Sequence, residues 1–270
     1  MTEHNQKVAL VTGASAGIGQ ATVEALRGAG YRVFGTSRKA ATSKVDGVTM
    51  LVCDVTDDAS VKTLVDEVLE KGGRIDLLVN NAGFGITGAA EESSIPQVRS
   101  MFETNVFGLV RVTNAVLPIM RAQRSGRILN VGSVAGLGPF PFGGHYGATK
   151  HAVEGYSESL DHEVREFGVR VAVIEPGPTR SSFEASTLAA DTPHADYRAA
   201  RNKYAVAFGR TMADAVSAES VAETIVLAAQ DKTLRLRYAS GKVARQIAFA
   251  RRFLPRSFFD KILRKQFGLA

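Results

Sequence analysis

The sequence predicts an α/β fold: a doubly wound parallel sheet of about seven strands with helices on both faces, in a single domain. Three observations carry this. Short apolar runs rich in Val, Ile and Leu alternate with amphipathic helical stretches along most of the chain. The first run, Lys7 to Thr12, passes into a glycine-rich turn, Gly13-Ala14-Ser15-Ala16-Gly17-Ile18-Gly19, and then into a helix from Gln20 to Gly28. No internal repeat or low-complexity linker divides the 270 residues, a length that one α/β domain commonly fills.

The opening turn makes physical sense around a phosphate. Gly13 permits the tight turn, Gly17 lets the backbone approach a pyrophosphate, and Gly19 lets helix and strand pack closely. Free amides of the helix's first turn then face the negative charge. The spacing G-x-x-x-G-x-G is one residue longer in its first gap than the usual dinucleotide fingerprint, so a glycine turn without ligand competes with this reading. Its place directly after the first strand favours the cofactor.

Tyr31 to Thr36 forms the second strand, and Ser37-Arg38-Lys39 lies just beyond it. An acid at this place would grip a ribose 2′-OH, whereas an Arg accommodates a 2′-phosphate. With no acid here, charge favours NADP(H), with NAD(H) as the other option. Val48 to Cys53 is the third strand, followed by Asp54 and Val55; Asp54 either accepts from an adenine amine or caps the loop. Asp57 or Asp58 caps a helix from Ala59 to Glu70 with Val61, Leu64, Val65 and Val68 as its buried stripe. Ile75 to Val79 is the fourth strand. It ends in Asn80-Asn81-Ala82-Gly83, where Asn80 can tie strand ends together and Ala82 and Gly83 leave room for a flat ring or sugar. Phe84 to Glu92 reads as a mobile stretch. One helix from about Ile95 to Arg121 carries Asn105 among apolar residues, by itself a satisfied structural amide.

Gly126 to Val131 is the fifth strand and delivers Gly132-Ser133 to the same edge. After a connection from Leu137 to Gly144, Tyr146 begins a helix with Lys150 four residues on, which puts phenol and ammonium on one helix face. Taken alone, this is a common helix-surface pair. Val169 to Ile174 is the sixth strand, ending in Glu175-Pro176-Gly177-Pro178-Thr179-Arg180; Thr179 either meets a carboxamide or caps the next helix. Residues 181–211 break the strand-helix rhythm where a substrate lid would sit. Ser217 caps a helix through Ala229, and Leu234 to Tyr238 is the last strand. The domain thus runs over residues 1–241, with 242–270 as a basic amphipathic extension.

Bulk properties narrow the function. Cys53 is the only cysteine, which excludes an internal disulfide, and it reads as a small buried residue. The formal net charge of +6 is concentrated after Gly241, where eight Lys or Arg face the single acid Asp260, so the remainder lacks the broad basic face of a nucleic-acid binder. No apolar run spans a bilayer, and Met1 to Gln6 is too short and polar for a secretory signal, which points to the cytoplasm. None of the five histidines sits in a metal-ligand spacing, and His145 and His151 read as rim or helix-surface residues. In the extension, Phe and Ile alternate with arginines: closure of a cleft or subunit docking is one reading, peripheral membrane contact the other.

With these motifs in place, the chain resembles the short-chain dehydrogenase/reductases over Lys7 to about Gly241. Thr12 to Gly19 looks like the family's cofactor loop, Asn80 to Gly83 like its strand-four motif, Pro176-Gly177-Pro178-Thr179 like its nicotinamide-side turn, and Asn105, Ser133, Tyr146 and Lys150 like its catalytic tetrad. Gly132 departs from the pattern, since Ser is frequent there. The resemblance implies a Rossmann fold and interconversion of a ketone or aldehyde with an alcohol. Tyr146 would then act as general acid/base, Ser133 would hold the substrate oxygen, Lys150 would lower the Tyr146 pKa and bind the ribose, and Asn105 would position a relay water. It places Gly13, Ser15, Gly17, Ile18, Gly19, Ser37, Arg38, Asp54, Val55, Asn81, Ala82, Gly83, Tyr146, Lys150, Pro176, Gly177 and Thr179 at the cofactor. It also implies a homodimer or homotetramer, often built on the helices containing Asn105 and Tyr146. Likeness to the hydroxysteroid and retinol dehydrogenase branch, together with Phe84, Ile86, Leu137, Phe140, Phe142, Phe183 and Tyr204, suggests an apolar substrate. The alternatives are a ketoreductase for a sugar or acyl substrate and a catalytically silent NADP-binding regulator.

Overall fold

The computed structural model describes residues 6–39 and 45–269, so Met1 to Asn5 of the polar N-terminal stretch fall outside the described residues. Seven parallel strands form the main sheet: β1 Val8–Val11, β2 Arg32–Ser37, β3 Val48–Val52, β4 Leu77–Asn80, then, after the two-residue β5 Ile86–Thr87, β6 Gly126–Val131 and β7 Val169–Pro176, and last β11 Arg237–Ser240. Their order is β11-β7-β6-β4-β1-β2-β3. The chain therefore reverses direction across the sheet beside β1, and the crevice outside the carboxyl ends of β1 and β4 is where such a topology binds ligands. Two short ladders lie outside the sheet: β5 with β9 Leu188–Ala189, and β8 Thr179–Arg180 with β10 Val216–Ser217.

Strand periodicity separates two cores. Val8 and Leu10 of β1 pack on one face with α2 Asp58–Gly72, α4 Leu109–Ala122 and α5 Gly144–Val164, whereas Ala9 and Val11 pack on the other with α1 Gly17–Gly28 and α8 Ala218–Gln230. Each fully buried Val or Leu contributes about 1.5–3 kcal/mol over an exposed one, and such side chains come from every central strand. Asp57 caps α2 by accepting from the Ala59 amide at 3.1 Å, and Val61, Leu64, Val65 and Val68 are buried as the stripe requires.

Three expectations are corrected. The helix read from Ile95 to Arg121 is two helices, α3 Ile95–Phe102 and α4, joined by a π-helical turn over Glu103–Gly108. Asn105 sits in that turn with its amide drawn out to the backbone of Phe84, and a widened turn of this kind commonly marks a functional position. The last strand is Arg237–Ser240 rather than Leu234 to Tyr238, because β7 offers its free edge from Val173 to Pro176 in that register; Leu234 is buried in the approach to it. Finally, Phe84 to Glu92 is not a loose segment. The Glu92 carboxylate is fully buried and accepts the amides of Ala89 and His194, each at 2.7 Å, while Arg201 pairs with it. Although burial alone would raise the Glu92 carboxyl, those amides and Arg201 hold it below the usual range.

That acid joins the sheet edge to the segment after β8, which folds as the single turn α6 Phe183–Ser186, β9 and α7 Arg198–Ala213. The extension folds as α9 Lys242–Phe253 and α10 Arg256–Gln266. Phe259, Leu263 and Phe267 of α10 pack on Tyr204 and Ala207 of α7, with Phe140 and Phe142 beside them.

Candidate active site

The turn after β1 has the backbone its glycines predict. Gly13 and Gly17 have φ of +66° and +55°, which side-chain-bearing residues rarely adopt, and a Cβ on Gly19 would lie 2.1 Å from the Gly13 carbonyl oxygen. Overpacking of this kind typically costs about 1–3 kcal/mol or more. Ala16 at the N-cap of α1 supplies no side-chain cap, the first turn holds no acid, and Ser15 and Ala16 are exposed. Its leading amides therefore suit an external anion.

The strand-four motif braces this turn from the side. The Thr12 hydroxyl accepts the amides of Asn81 and Ala82 at 3.0 and 3.1 Å, and Asn81 Nδ2 donates to the carbonyls of Thr12 and Gly13, both at 3.0 Å. Asn80 ties β4 to β6 by donating to Asn130 Oδ1 at 2.9 Å. Gly83 closes on Asn105, whose Oδ1 would lie 3.0 Å from an added Cβ.

At the far side of the cradle, Arg38 and Lys39 are exposed and the Ser37 hydroxyl donates to the Lys39 carbonyl. Asp54 caps its own loop: Oδ1 accepts the Thr56 amide and hydroxyl at 2.9 and 2.8 Å, and these bonds, aided by nearby Arg38, hold its carboxyl below the ordinary range. Val55 is buried, and its carbonyl accepts from Arg111 at 2.8 Å. Beyond β7, Gly177 and Thr179 are half-buried; the Gly177 amide donates to Ser240 and the Thr179 hydroxyl to the Gly177 carbonyl at 2.9 Å. Ile18 and Ala82 are half-buried as well, while Pro176 ends β7 as a buried residue.

Tyr146, Lys150 and Ser133 meet between these turns, and Asn105 reaches the neighbouring Thr149. Tyr146 and Lys150 lie one turn apart on α5, with Lys150 Nζ 5.7 Å from the Tyr146 ring centroid and donating to the Val131 carbonyl at 2.7 Å. Burial pushes the Tyr146 phenol up to about 12, and the Ser133 hydroxyl opposes that rise by hydrogen bonding. Burial likewise lowers the Lys150 ammonium to about 8, with Glu154 opposing. The expected lowering of the Tyr146 pKa is thus not a property of the protein groups alone, because the low dielectric that hosts the pair disfavours both charged forms. Asn105 Oδ1 accepts the Phe84 amide at 3.0 Å and Nδ2 donates to the Phe84 carbonyl at 2.9 Å, with Thr149 Oγ1 at 3.3 Å. Its Oδ1 keeps one acceptor site free of any partner among the described residues.

The aromatic residues expected around a cleft divide into two groups. Phe183 of α6 lies over Tyr146, with ring centroids 5.5 Å apart. Phe140, Phe142 and Tyr204 instead join the cluster under α10. Ile86 is buried in β5, Leu137 is half-buried, and Phe84 is held by Asn105. His145 bonds the Ala90 carbonyl at 2.8 Å and His151 the Gly147 carbonyl at 2.9 Å, both backbone contacts. Sequence reading missed Glu92 and the buried acids Glu154 and Glu175. A sign of Glu154 was available, since it continues the i, i+4 stripe of Tyr146 and Lys150.

The family model described as short chain dehydrogenase matches residues 7–192. A 3-ketodihydrosphingosine reductase of Bacteroides thetaiotaomicron is 44% identical over 177 residues, which are 66% of this chain and 65% of that protein, just under two thirds of its length. A crystal structure of a short-chain dehydrogenase from Streptomyces avermitilis superposes with a TM-score of 0.82 at 32% identity, covering 98% of this chain and 96% of the other. The closed form of a serine dehydrogenase complexed with NADP+ superposes with a TM-score of 0.73 at 28% identity, covering 86% and 93%. With a seven-stranded parallel sheet, a glycine turn at its switch point and a family match over most of its length, the chain belongs to the short-chain dehydrogenase/reductases, the NAD(P)-dependent oxidoreductases of that fold.

Proposed function

We propose that this protein is an NADP(H)-preferring oxidoreductase that interconverts an apolar ketone or aldehyde with its alcohol. The observation that carries the reading is the meeting of Tyr146, Lys150 and Ser133 on facing elements, with the uncapped start of α1 on the same edge of the sheet. The nicotinamide, when bound, supplies or accepts the hydride. Gly13, Ser15, Gly17, Ile18 and Gly19 would hold its pyrophosphate, Ala82 and Gly83 beside Asn81 its sugar, Pro176, Gly177 and Thr179 its carboxamide side, and Lys150 its ribose. Tyr146 passes a proton to or from the reacting oxygen, and Ser133 hydrogen-bonds that oxygen. Asn105 supports the relay by positioning a water, and its bonds to the Phe84 backbone fix the floor of the site.

Phe183 over Tyr146 supports an apolar substrate, and the name carried by the Bacteroides relative, 3-ketodihydrosphingosine reductase, agrees with this. Arg38, exposed beyond β2 with Lys39 and no acid at that strand end, supports the 2′-phosphate. A panel of apolar, sugar and acyl-type carbonyls assayed with NADPH and NADH tests the reading: NADPH is expected to be at least about tenfold better in kcat/KM, and Arg38→Asp to erase that preference. Equal use of NADH, or sugars reduced as well as apolar ketones, would refute the corresponding half.

For the extension, the packing of α10 on the lid supports closure of the cleft, and Phe107, exposed beside Asn105, supports assembly as a homodimer or homotetramer. A second contact is favoured by the outer face of α9. Arg245, Phe249, Arg252 and Phe253 are all exposed and share one helical face, a pattern suited to an anionic lipid surface. No helix among the described residues is long and apolar enough to cross a membrane. Vesicles containing phosphatidylserine are expected to co-sediment the protein, and Arg245→Glu with Arg252→Glu to weaken binding by at least about tenfold. Unchanged binding after reversal would exclude the lipid contact.

A further inference from the structure

Behind Lys150 lies a cluster of charged groups that the proton transfer at Tyr146 leaves unused. Glu154 is one turn beyond Lys150 on α5 and Glu158 one turn further; Glu175 comes from β7 and Arg237 from β11. Glu154 and Glu175 are almost wholly buried, whereas Glu158 retains partial exposure. Arg237 Nη1 serves both buried acids, lying 2.5 Å from Glu154 Oε2 and 2.6 Å from Glu175 Oε1, while its Nε reaches Glu158 at 2.9 Å. Three carboxyls thus share one guanidinium. Glu154 is the least well served: neither of its oxygens has a properly aligned hydrogen bond, and Oε1 has no partner among the described residues.

Its position explains the departure of Gly132 from the family pattern. A Cβ on Gly132 would stand 2.7 Å from Glu154 Oε1 and 2.6 Å from Val173 Cγ1, and one on Gly136 would stand 2.9 Å from Glu154 Cγ and Oε1. The carboxyl therefore occupies the space beneath the Ser133 turn that side chains on these two residues would fill. It is wedged between the strand end that delivers Ser133 and the helix that delivers Tyr146 and Lys150.

Resting on the function proposed above, we propose that Glu154 is a positioning residue for Lys150: as pH rises its carboxyl gives up its proton to solvent first, and the resulting anion keeps Lys150 in the ammonium form beside Tyr146. The charges facing Glu154 decide the order of release. Lys150 and Arg237 favour its anion, whereas Glu175 and Glu158 oppose it. Burial raises Glu154 to about 8, the same range to which burial lowers Lys150, so one proton leaves the pair there. Removing it from Glu154 leaves two opposite charges that attract each other and Arg237; removing it from Lys150 leaves an ammonium site neutral beside a neutral acid, with no such attraction. A buried lysine without that anion would lose its proton at lower pH.

Alcohol oxidation reads this directly, because Tyr146 then works as a base and needs the neighbouring positive charge. Glu154→Gln keeps the side-chain volume and removes the titration. The alkaline limb of its kcat/KM profile is expected to move about one pH unit toward acid, with turnover about tenfold below wild type near pH 9.5 and within about threefold of it near pH 7. Glu158→Gln, which removes the partly exposed neighbouring acid, should leave the limb where it is, and Glu154→Asp, which keeps a carboxyl, should leave it close to wild type. A Glu154→Gln limb that coincides with wild type overturns the proposal.

Infrared difference spectra of the wild-type protein between about pH 6.5 and 9.5 provide a readout that needs neither turnover nor a folded variant. They are expected to lose a protonated-carboxyl band, and the absence of such a band also overturns the proposal. If the wild type shows the band but reduces no carbonyl in the panel, the enzymatic reading fails while the titration of the acid stands.

Discussion

Tyr146→Phe is expected to lower turnover by about 10³-fold in both directions while leaving NADPH affinity within about threefold, because positioned acid-base catalysis contributes on the order of 10²–10⁴. The substitution removes one oxygen from a ring held against Phe183 and keeps the packing of α5. Loss of fold is therefore not the expected route of inactivation. With burial holding the phenol near 12, the hydroxyl is a competent acid for a developing alkoxide and a poor base unless positive charge stands beside it. Stopped-flow hydride transfer with an apolar ketone, together with fluorescence titration of NADPH, separates the two quantities. Undiminished turnover in Tyr146→Phe would remove the phenol from the chemistry.

Lys150→Met is the second large effect, with kcat lowered by about 10²–10³-fold and the KM for cofactor raised as well. Lys150 does two jobs: it presents a cation 5.7 Å from the Tyr146 ring and anchors to the Val131 carbonyl at 2.7 Å, the strand end that leads to Ser133. Methionine keeps the length and loses both. Stability should respond in the opposite sense to activity. Burial lowers the native ammonium below its unfolded value of 10.5 even with Glu154 opposing, so keeping it charged costs stability near neutral pH, and that cost fades as pH rises through the native value toward 10.5. Lys150→Met removes the cost, and its melting temperature relative to wild type should be highest below pH 8 and converge with it above 10. A variant equally destabilised at every pH would show that Lys150 acts by packing alone.

How much of this was legible in the sequence differs from element to element. The glycine turn after β1 was legible because glycine is specific: only residues without a Cβ tolerate the φ values at 13 and 17 and the approach of Gly19 to the Gly13 carbonyl. β6 was legible to the residue, because Gly126 and the apolar run to Val131 leave one way to place a buried strand. The stripe of α2 was legible for the same reason, since four apolar residues recur at helical spacing. The last strand was misplaced because Leu234 and Leu236 alternate with arginines as a strand would, while the pairing is set by the free edge of β7. Phe84 to Glu92 looked mobile because its anchors, Thr192, His194 and Arg201, lie about a hundred residues away.

By itself the sequence determined the fold class and the order of the turns along one sheet edge, since local periodicity and turn chemistry depend on neighbours a few residues apart, whereas Asn105, Ser133, Tyr146 and Lys150 were singled out only by the family resemblance. Tertiary structure alone decided what surrounds them. The π turn at Asn105, the hub at Glu92, the docking of α10 on α7 and the burial of Glu154 beneath Gly132 all depend on partners distant in the chain. The ionisation of Tyr146, Lys150 and Glu154 depends on them too, because burial and the charges of remote residues set the cost of each charged form, and neither can be read from spacing.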